Sequence, residues 1–221
     1  MNNKKAVVLL SGGIDSSVVL YYAKSKGYLP NALIFDYQQR HIRELTSAVN
    51  IAKSLKVEYK LIKISFPWKG SALVDKKIKV PKTKLKPQNN IPVTYVPGRN
   101  IIFLSFAFSY AEVIKAKTVF IGAHIEDYSG YPDCRPDFLK SFNQMANLGL
   151  KNKHIKLSAP LIKKSKKQII ELGLKLKVPF DKTWSCYNGK NIPCNNCDSC
   201  FYRIRAFREL GMKDPLIKNE G

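Results

Sequence analysis

The chain has 221 residues, of which 45% are hydrophobic, so it can form a sizeable core in one domain with at most a small appendage. It contains no run of about 18 apolar residues and no signal-peptide core, which argues against a membrane protein and predicts a cytoplasmic one. The 38 Lys and Arg against 16 Asp and Glu give a net charge of +22. Because the lysines are widely spread, we expect a solvated lysine surface, with RNA binding the weaker alternative. Small-molecule substrates are expected as the partners, and a homodimer is left open.

Strand and helix patterns alternate along the first half of the chain. The elements are predicted in the order strand 6–10, helix 16–26, strand 32–35, helix 42–55, edge strand 59–64, connection 65–98, buried helix 101–116 and strand 119–122. A connection as long as 65–98 is typical of a lid, a binding loop or a locally disordered segment. The alternation predicts an α/β fold, a parallel twisted sheet with helices on both faces and with ligands at the carboxyl ends of its strands.

A glycine turn, Ser11-Gly12-Gly13-Ile14-Asp15-Ser16-Ser17, joins the first strand to the first helix. The two glycines let the backbone approach a ligand and the helix N-terminus favours an anion, so this turn is a candidate phosphate site. It has neither the lysine of a Walker loop nor the spacing of a dinucleotide fingerprint. We therefore expect its hydroxyls, its N–H groups and Asp15 to bind a pyrophosphate, with or without Mg²⁺, leaving the α-phosphate open to attack. The alternative is a turn that only caps the helix.

Polar residues that follow the later strands should meet the glycine turn in one crevice. Those after the second strand are Asp36, Tyr37, Arg40 and His41. In the loop at 123–136, tyrosines can stack on a planar heterocycle, and Asp127 and Asp133 can accept from ring N–H and amino groups. Arg99 offers a guanidinium to a phosphate or a carboxylate. Either segment could instead be only well packed.

A further helix is predicted to begin near residue 165, where Ser165 and Gln168 match a capping box. Just before it the chain returns to the sheet, so one of the lysines at 163, 164 and 166 could contact a phosphate. A solvated face is the simpler interpretation for most of them. A last amphipathic helix is predicted from Asp198 and is closed by Gly211.

Four cysteines lie close together near the C-terminus: Cys186, Cys194, Cys197 and Cys200. Two-residue spacings let neighbouring thiolates bind one ion, and four thiolates form the closed shell of a structural Zn²⁺. Disulfides are disfavoured in a cytosolic chain, and an iron–sulfur cluster stays open as the alternative. We divide the chain into a nucleotide-binding domain, 1–180, and a zinc segment packed on it, 181–221, and treat Cys134 as a plain small residue.

Together these motifs resemble the 7-cyano-7-deazaguanine (preQ0) synthase family of the N-type ATP pyrophosphatases, or PP-loop proteins. The resemblance rests on the glycine turn, the four cysteines and the segments 36–41, 95–100, 127–135 and 183–187, and it runs nearly end to end. Two positions differ, because the family usually has glycine where this chain has Gln38 and Asn195. Asparagine is the next-best residue for a left-handed turn.

The resemblance implies an adenine nucleotide alpha hydrolase-like fold and an ATP-dependent ligase that releases AMP and pyrophosphate. The implied reaction converts 7-carboxy-7-deazaguanine and ammonia to the nitrile through adenylated carboxylate and amide intermediates, in queuosine-type biosynthesis. ATP, Mg²⁺ and one structural Zn²⁺ per chain are the implied cofactors. A tRNA-modifying PP-loop enzyme that activates a base by adenylation is the rival hypothesis, and a non-catalytic zinc-bearing module is the third.

Family roles can be carried over to the matching positions. The residues expected to bind ATP are Leu10, Ser11, Gly12, Gly13, Ile14, Asp15, Ser16 and Ser17. Those expected to contact the deazaguanine and its carboxylate are Arg99, Asp127, Tyr128, Tyr131, Asp133 and Arg135. Catalysis is assigned to Asp15, Ser16 and Arg99, and zinc binding to the four cysteines.

Overall fold

The computed structural model describes residues 4–40, 42–82, 91–124, 130–151, 153–189 and 191–217. Its strands are β1 (Lys4–Leu9), β2 (Tyr28–Asp36), β3 (Glu58–Lys63), β4 (Thr118–Phe120) and β5 (Lys156–Ser158). Its helices are α1 (Ile14–Ser25), α2 (Arg43–Ser54), α3 (Arg99–Val113), α4 (Pro136–Gly149), α5 (Lys166–Lys175) and α6 (Asp198–Arg208). The predicted alternation is confirmed, and the structure adds α4 and β5 to it.

The strands form one sheet in the order β3-β2-β1-β4-β5, and each neighbouring pair is parallel. In the centre, Val8 of β1 pairs with Ala32 of β2 on one side and with Phe120 of β4 on the other. The chain builds outward from β1 to the edge strand β3 and then crosses back to β4. The carboxyl ends of β1 and β4 therefore flank the crevice in which sheets of this topology bind ligands.

Side chains of β1 alternate between two apolar cores, one on each face of the sheet. Ala6 and Val8, with Leu10 directly after the strand, belong to a core shared with α1, α2, α5 and α6, whereas Val7 and Leu9 belong to a core shared with α3 and α4. This alternation is expected of a parallel strand that is buried on both faces. The predicted fold class, a parallel sheet covered by helices on both faces, is confirmed.

The prediction of a buried helix at 101–116 is wrong in part. The helix α3 buries only one stripe, formed by Leu104, Ala107, Phe108 and Ala111, and exposes the apolar residues on its other side, with Val113 at 76%. The spacing explains the difference, because residues three and four apart share one helix face and only that face meets the sheet. In the described ranges, no helix has both the length and the apolar character needed to cross a bilayer.

The connection between β3 and α3 packs against the body of the protein where it is described, at 65–82 and 91–98. Phe66, Leu73 and Val96 are buried in the core beside α3, and the Ala72 N–H donates to the carbonyl of Val93 at 2.8 Å. Arg40 braces the same segment, since its Nη2 donates to three backbone carbonyls between residues 75 and 78. The described parts of this connection form a wall of the protein, and residues 83–90 lie outside the described ranges.

The predicted capping box begins α5. Ser165 Oγ accepts a hydrogen bond from the Gln168 N–H at 3.3 Å, and Gln168 Oε1 accepts one from the Ser165 N–H at 3.0 Å. This reciprocal pair fixes where the helix starts. The neighbouring Lys166 is therefore held at the first helical position, at the edge of the sheet where ligands are expected.

A buried ion pair fastens the C-terminal segment to the preceding chain. Arg203 of α6 donates from Nε and Nη2 to the two carboxylate oxygens of Asp214, at 2.6 and 2.8 Å. Its Nη1 donates to Thr183 Oγ1 at 2.7 Å and its Nη2 to the Phe180 carbonyl at 2.9 Å. Because both charged side chains are buried, each depends on the other for its counter-charge.

We expect Asp214→Ala to lower the free energy of unfolding by about 3–5 kcal/mol, because it leaves a buried guanidinium unpaired. Glu209→Ala is the matched control. Glu209 accepts from Arg205 Nε at 2.7 Å, but this pair is exposed to solvent, and exposed pairs contribute about 0.2–1 kcal/mol. Urea denaturation measures both losses, and equal losses would contradict the stabilising role of the buried pair.

Candidate nucleotide and substrate site

The glycine turn lies at the carboxyl end of β1, where the topology places a ligand. Gly12 has a φ of +86°, and its carbonyl accepts a hydrogen bond from the Trp184 N–H at 2.9 Å. Ser17 Oγ donates to the Gly13 carbonyl at 2.7 Å. No side chain among the described residues caps α1, which begins after Gly13. The Ser17 hydroxyl therefore stabilises the glycine turn, while backbone N–H groups at the start of α1 can bind a ligand.

Gly12 is also the point at which α2 approaches the turn. A Cβ built on Gly12 would collide with the carbonyl oxygen of Glu44 and would lie 2.6 Å from the backbone nitrogen of Ala48. Backbone atoms cannot move aside as a flexible side chain can. The absence of a side chain at Gly12 therefore sets how closely α2 packs against the glycine turn.

We expect Gly12→Ala to cost about 3 kcal/mol or more of stability, because it combines a left-handed backbone with a backbone clash. Gly27→Ala is the control, since Gly27 has a φ of +77° but no atom within 4 Å of the added Cβ. The Gly27→Ala variant should lose only the cost of a left-handed backbone at a residue with a side chain, about 1–2 kcal/mol of the free energy of unfolding. Chemical denaturation compares the two, and a Gly12 variant as stable as the Gly27 variant would rule out the close packing of α2.

Asp15, at the start of α1, is paired with a lysine that is remote in sequence. Lys166 Nζ lies 2.7 and 2.8 Å from the two carboxylate oxygens of Asp15 and 3.1 Å from His124 Nε2. Burial opposes ionisation, but the charges of Lys166 and His124 hold the pKa of the Asp15 carboxyl well below its usual range. Lys166 thus supplies a cation beside the glycine turn, which the turn itself lacks.

A cavity of about 240 Å³ lies between the glycine turn and the N-terminus of α3. Its lining residues at the glycine turn are Leu10, Ser11, Gly13, Asp15 and Ser16. Those from other strand ends and helices include Tyr37, Gln39, Glu44, Arg99 and Ala123. The C-terminal segment contributes Trp184, Ser185 and Tyr187. The crevice predicted from the carboxyl ends of the strands is therefore present. It has apolar, aromatic and charged walls, which suits a planar polar ligand.

Arg99 is the cation at the far side of this cavity. Its Nη1 donates to Tyr37 Oη at 3.2 Å, and its guanidinium lies 5.9 Å from the centre of the Tyr37 ring. Burial opposes the charge, but Tyr37, Tyr131 and Asp133 raise the pKa of Arg99 above its ordinary value. Arg99 therefore stays charged and can hold an anionic group of a ligand.

Glu44 brings a carboxylate to the same cavity. It lies half-buried in the first turn of α2. Burial raises the pKa of its carboxyl to about 7, Arg99 opposes that rise and Cys186 adds to it. Among the described residues, no side chain or backbone group donates a hydrogen bond to this carboxylate. Glu44 was not predicted from the sequence, because a lone Glu early in a helix has the pattern of an ordinary residue favoured by the helix dipole.

The structure separates the residues predicted to bind ATP into two groups. Those that line the cavity are Leu10, Ser11, Gly13, Asp15 and Ser16. The hydroxyls of Ser11 and Ser16 lie 3.0 Å apart. Gly12, Ile14 and Ser17 lie behind the turn, where Ile14 and Ser17 are buried and shape the backbone. The contacts of all eight residues with ATP stay predictions.

The residues predicted to contact the substrate are only partly brought together. Arg99 and Tyr131 line the cavity. Asp127, Tyr128 and His41 lie outside the described residues. The described part of the 123–136 loop therefore contributes Tyr131 to the cavity, as expected for a ring that stacks on a planar ligand.

Asp133 and Arg135 do not line the cavity. Asp133 is buried, and its Oδ2 accepts a hydrogen bond from the Asn100 N–H at 3.0 Å, in the first turn of α3. Arg135 is exposed at the start of α4. The position of Asp133 indicates that it fixes α3, and with it Arg99. Direct substrate contacts of Asp133 and Arg135 remain predictions.

The four cysteines converge, as their spacing predicted. The Sγ atoms of Cys186, Cys194, Cys197 and Cys200 all lie within 4.8 Å of one another. A tetrahedral zinc with Zn–S bonds of about 2.3 Å places its sulfurs about 3.8 Å apart, so this cluster has a suitable size. Backbone N–H groups of Gly189 and Cys194 donate to Cys186 Sγ at 2.9 and 3.2 Å, which favours the thiolate form that binds metal.

The cysteine cluster also supports one wall of the cavity. Trp184 is 1% exposed, and its Nε1–H donates to the Cys186 carbonyl at 3.0 Å while its backbone N–H holds the glycine turn. The Arg43 guanidinium lies 4.7 Å from the centre of the Trp184 ring. A metal bound to the cysteines would therefore fix the segment that closes the cavity at the glycine turn.

The strand order, the glycine turn at its switch point and the charged cavity are typical of the α/β nucleotide-binding class of protein. The family model described as "Queuosine biosynthesis protein QueC" matches residues 5–211, and the chain belongs to this family. Similar curated relatives include the 7-cyano-7-deazaguanine synthase of Trichodesmium erythraeum (strain IMS101), which is 51% identical over 96% of this chain and 100% of the relative. The synthase of Thermoplasma acidophilum (strain ATCC 25905) is 48% identical over 98% and 92%.

Solved structures show the same fold at low identity. NMN synthetase from Francisella tularensis has a TM-score of 0.51 and 17% identity, over 98% of this chain and 79% of that protein. A predicted subunit of tRNA methyltransferase from Methanocaldococcus jannaschii has a TM-score of 0.52 and 17% identity, over 96% and 90%. These similarities extend to the fold, and the expected adenine nucleotide alpha hydrolase-like architecture is confirmed.

Proposed function

We propose that this protein is an ATP-dependent ligase that converts 7-carboxy-7-deazaguanine and ammonia to 7-cyano-7-deazaguanine. The observation that carries the proposal is the near full-length similarity to proteins of that name, at 51% identity. The site supports it, because the cavity joins a candidate anion-binding turn to the half-buried guanidinium of Arg99. Adenylation of a carboxylate needs both, one for the phosphates of ATP and one for the acid that attacks them.

In the first half of the reaction, a carboxylate oxygen of the substrate attacks the α-phosphorus of ATP and pyrophosphate leaves. The glycine turn would hold the departing pyrophosphate with its N–H groups, and Lys166 would neutralise its charge. Arg99 would orient the substrate carboxylate. Ammonia then attacks the acyl carbon of the adenylate, AMP leaves, and the amide forms with loss of a proton.

In the second half, the amide oxygen attacks the α-phosphorus of another ATP and pyrophosphate leaves again. Loss of AMP and a proton from this adenylated amide forms the nitrile. The same residues can serve both halves, since each begins with an oxygen attacking the same phosphorus. The site contributes positioning and charge compensation more than proton transfer, because the low pKa of Asp15 keeps it ionised and unsuited to act as a general acid.

The residues present fit the two metals that the proposal includes. Mg²⁺ binds hard oxygen ligands and commonly takes one carboxylate together with substrate phosphates. Asp15 is the ionised carboxylate beside the turn and would hold it. When bound, Mg²⁺ would offset charge on the pyrophosphate. The four thiols would hold one Zn²⁺ with no open position, so we assign that ion a structural role.

Incubation with ATP, Mg²⁺, ammonium and 7-carboxy-7-deazaguanine tests the proposal. Mass spectrometry should detect the nitrile, with two AMP formed per nitrile and the amide as an intermediate. Formation of AMP only after addition of tRNA would instead support the tRNA-modifying alternative. Cytoplasmic residence, a homodimer and the absence of nucleic-acid binding stay predictions.

A further inference from the structure

Two carboxylates line the described part of the cavity, Asp15 and Glu44. Asp15 is engaged by Lys166 through two short contacts. Glu44 receives no hydrogen bond within the described residues, and the adenylation chemistry gives it no task. A carboxylate that is partly removed from water and left unsatisfied is costly unless a ligand supplies its donors.

The substrate of the proposed function, on which this inference rests, carries such donors. Its carboxylate is attached to the five-membered ring. Its six-membered ring presents two adjacent donors, the ring N1–H and the 2-amino group. An ionised carboxylate accepts two parallel hydrogen bonds in the same manner as it accepts a guanidinium. A cavity with Arg99 for the anionic group and Glu44 for the paired donors has charges complementary to the two ends of this molecule.

We propose that Glu44 is the residue that recognises the guanine-type edge, accepting hydrogen bonds from N1–H and from the 2-amino group. Adenine is the weaker match, because its ring nitrogens are acceptors that repel a carboxylate and it has a single amino donor. Asp133 is already engaged by the Asn100 N–H.

The backbone of Glu44 is well placed for recognition. Its carbonyl oxygen packs where a side chain at Gly12 would stand, so the first turn of α2 is fixed against the glycine turn. Its carboxyl interacts electrostatically with Arg99 and Tyr187, both of which line the cavity. Rigid placement matters here, since recognition by a pair of hydrogen bonds depends on their geometry.

Glu44→Gln tests the proposal, because it keeps the shape of the side chain but presents an amide N–H₂ to the substrate donors. The KM for 7-carboxy-7-deazaguanine should rise about 100-fold, whereas the Kd of a non-hydrolysable ATP analogue should change less than about 2-fold. Glu58→Gln, at an exposed position in β3, is the matched control and should alter neither value. Circular dichroism and thermal melting verify that both variants fold.

A substrate analogue without the 2-amino group provides a second measurement that needs no stable variant. The unaltered protein should use this analogue about 10–100-fold less efficiently than the normal substrate, since one acceptor oxygen loses its donor. The Glu44→Gln variant should have lost that discrimination. Retained discrimination in the variant, or an equal loss of ATP-analogue affinity, would overturn the role of Glu44. Failure of the unaltered protein to make nitrile would refute the proposed function instead.

Discussion

Asparagine in place of Asp15 is expected to slow AMP and pyrophosphate release by about 10³-fold while the protein remains folded. The substitution keeps the size of the side chain but removes the charge that Lys166 contacts at 2.7 and 2.8 Å. Lys166 would then lose its fixed position beside the turn, and the site would lose its proposed Mg²⁺ ligand. A quenched-flow assay with ATP, ammonium and 7-carboxy-7-deazaguanine measures the change.

Two further variants separate charge placement from a general loss of negative charge. Asp181→Asn removes a carboxylate at an exposed position just before the cysteine segment. It should leave the rate of AMP and pyrophosphate release unchanged. Lys166→Met should reduce the rate by about 10²-fold or more and weaken ATP binding, because it removes the cation proposed to neutralise the phosphates. An Asp15→Asn rate within about tenfold of normal would exclude Asp15 from the catalytic machinery.

The elements built from local patterns are the ones that sequence analysis predicted well. The buried run before the glycine turn, the capping box at Ser165 and the cysteine spacing each report a local constraint, and each is present in the structure. The two family glycine positions that differ here are informative as well. Gln38 and Asn195 have φ values of +60° and +55°, so both positions retain the left-handed backbone that glycine favours.

Contacts between distant segments could not be predicted in the same way. Lys166 meets Asp15 across 151 positions, and only the sheet topology brings α5 beside α1. Three lysines, at 163, 164 and 166, were candidates, and nothing in the sequence distinguishes them. Glu44 lies in no motif, and His124 was not singled out within the 123–136 loop. Their proximity to Arg99 and Asp15 arises because segments that follow different strands converge at one edge of the sheet. The exposed stripe of α3 was missed for a related reason, since composition shows apolar content but not which face is covered.

Loss of the metal from the four-cysteine cluster should be a large structural perturbation of this chain. We expect about one zinc per chain by elemental analysis, and its loss in Cys200→Ala. That variant should be destabilised by about 3 kcal/mol or more, since metal binding contributes directly to folding. Cys134→Ala is the matched control for metal content, because Cys134 is buried but lies outside the cluster. Iron in place of zinc, with visible absorbance, would overturn the structural zinc assignment.

Tryptophan fluorescence can test whether that metal also supports the cavity wall. The chain has two tryptophans, of which Trp68 is 62% exposed and Trp184 is 1% exposed. In a Trp68→Phe background, emission reports on Trp184 alone, so chelation of the zinc should shift it to longer wavelength as the ring meets water. The backbone N–H of Trp184 also donates a hydrogen bond to the Gly12 carbonyl at 2.9 Å. Affinity for an ATP analogue should therefore fall in parallel with the shift in emission. An unshifted emission with unchanged ATP affinity after complete zinc removal would show that the cluster stabilises only its own segment.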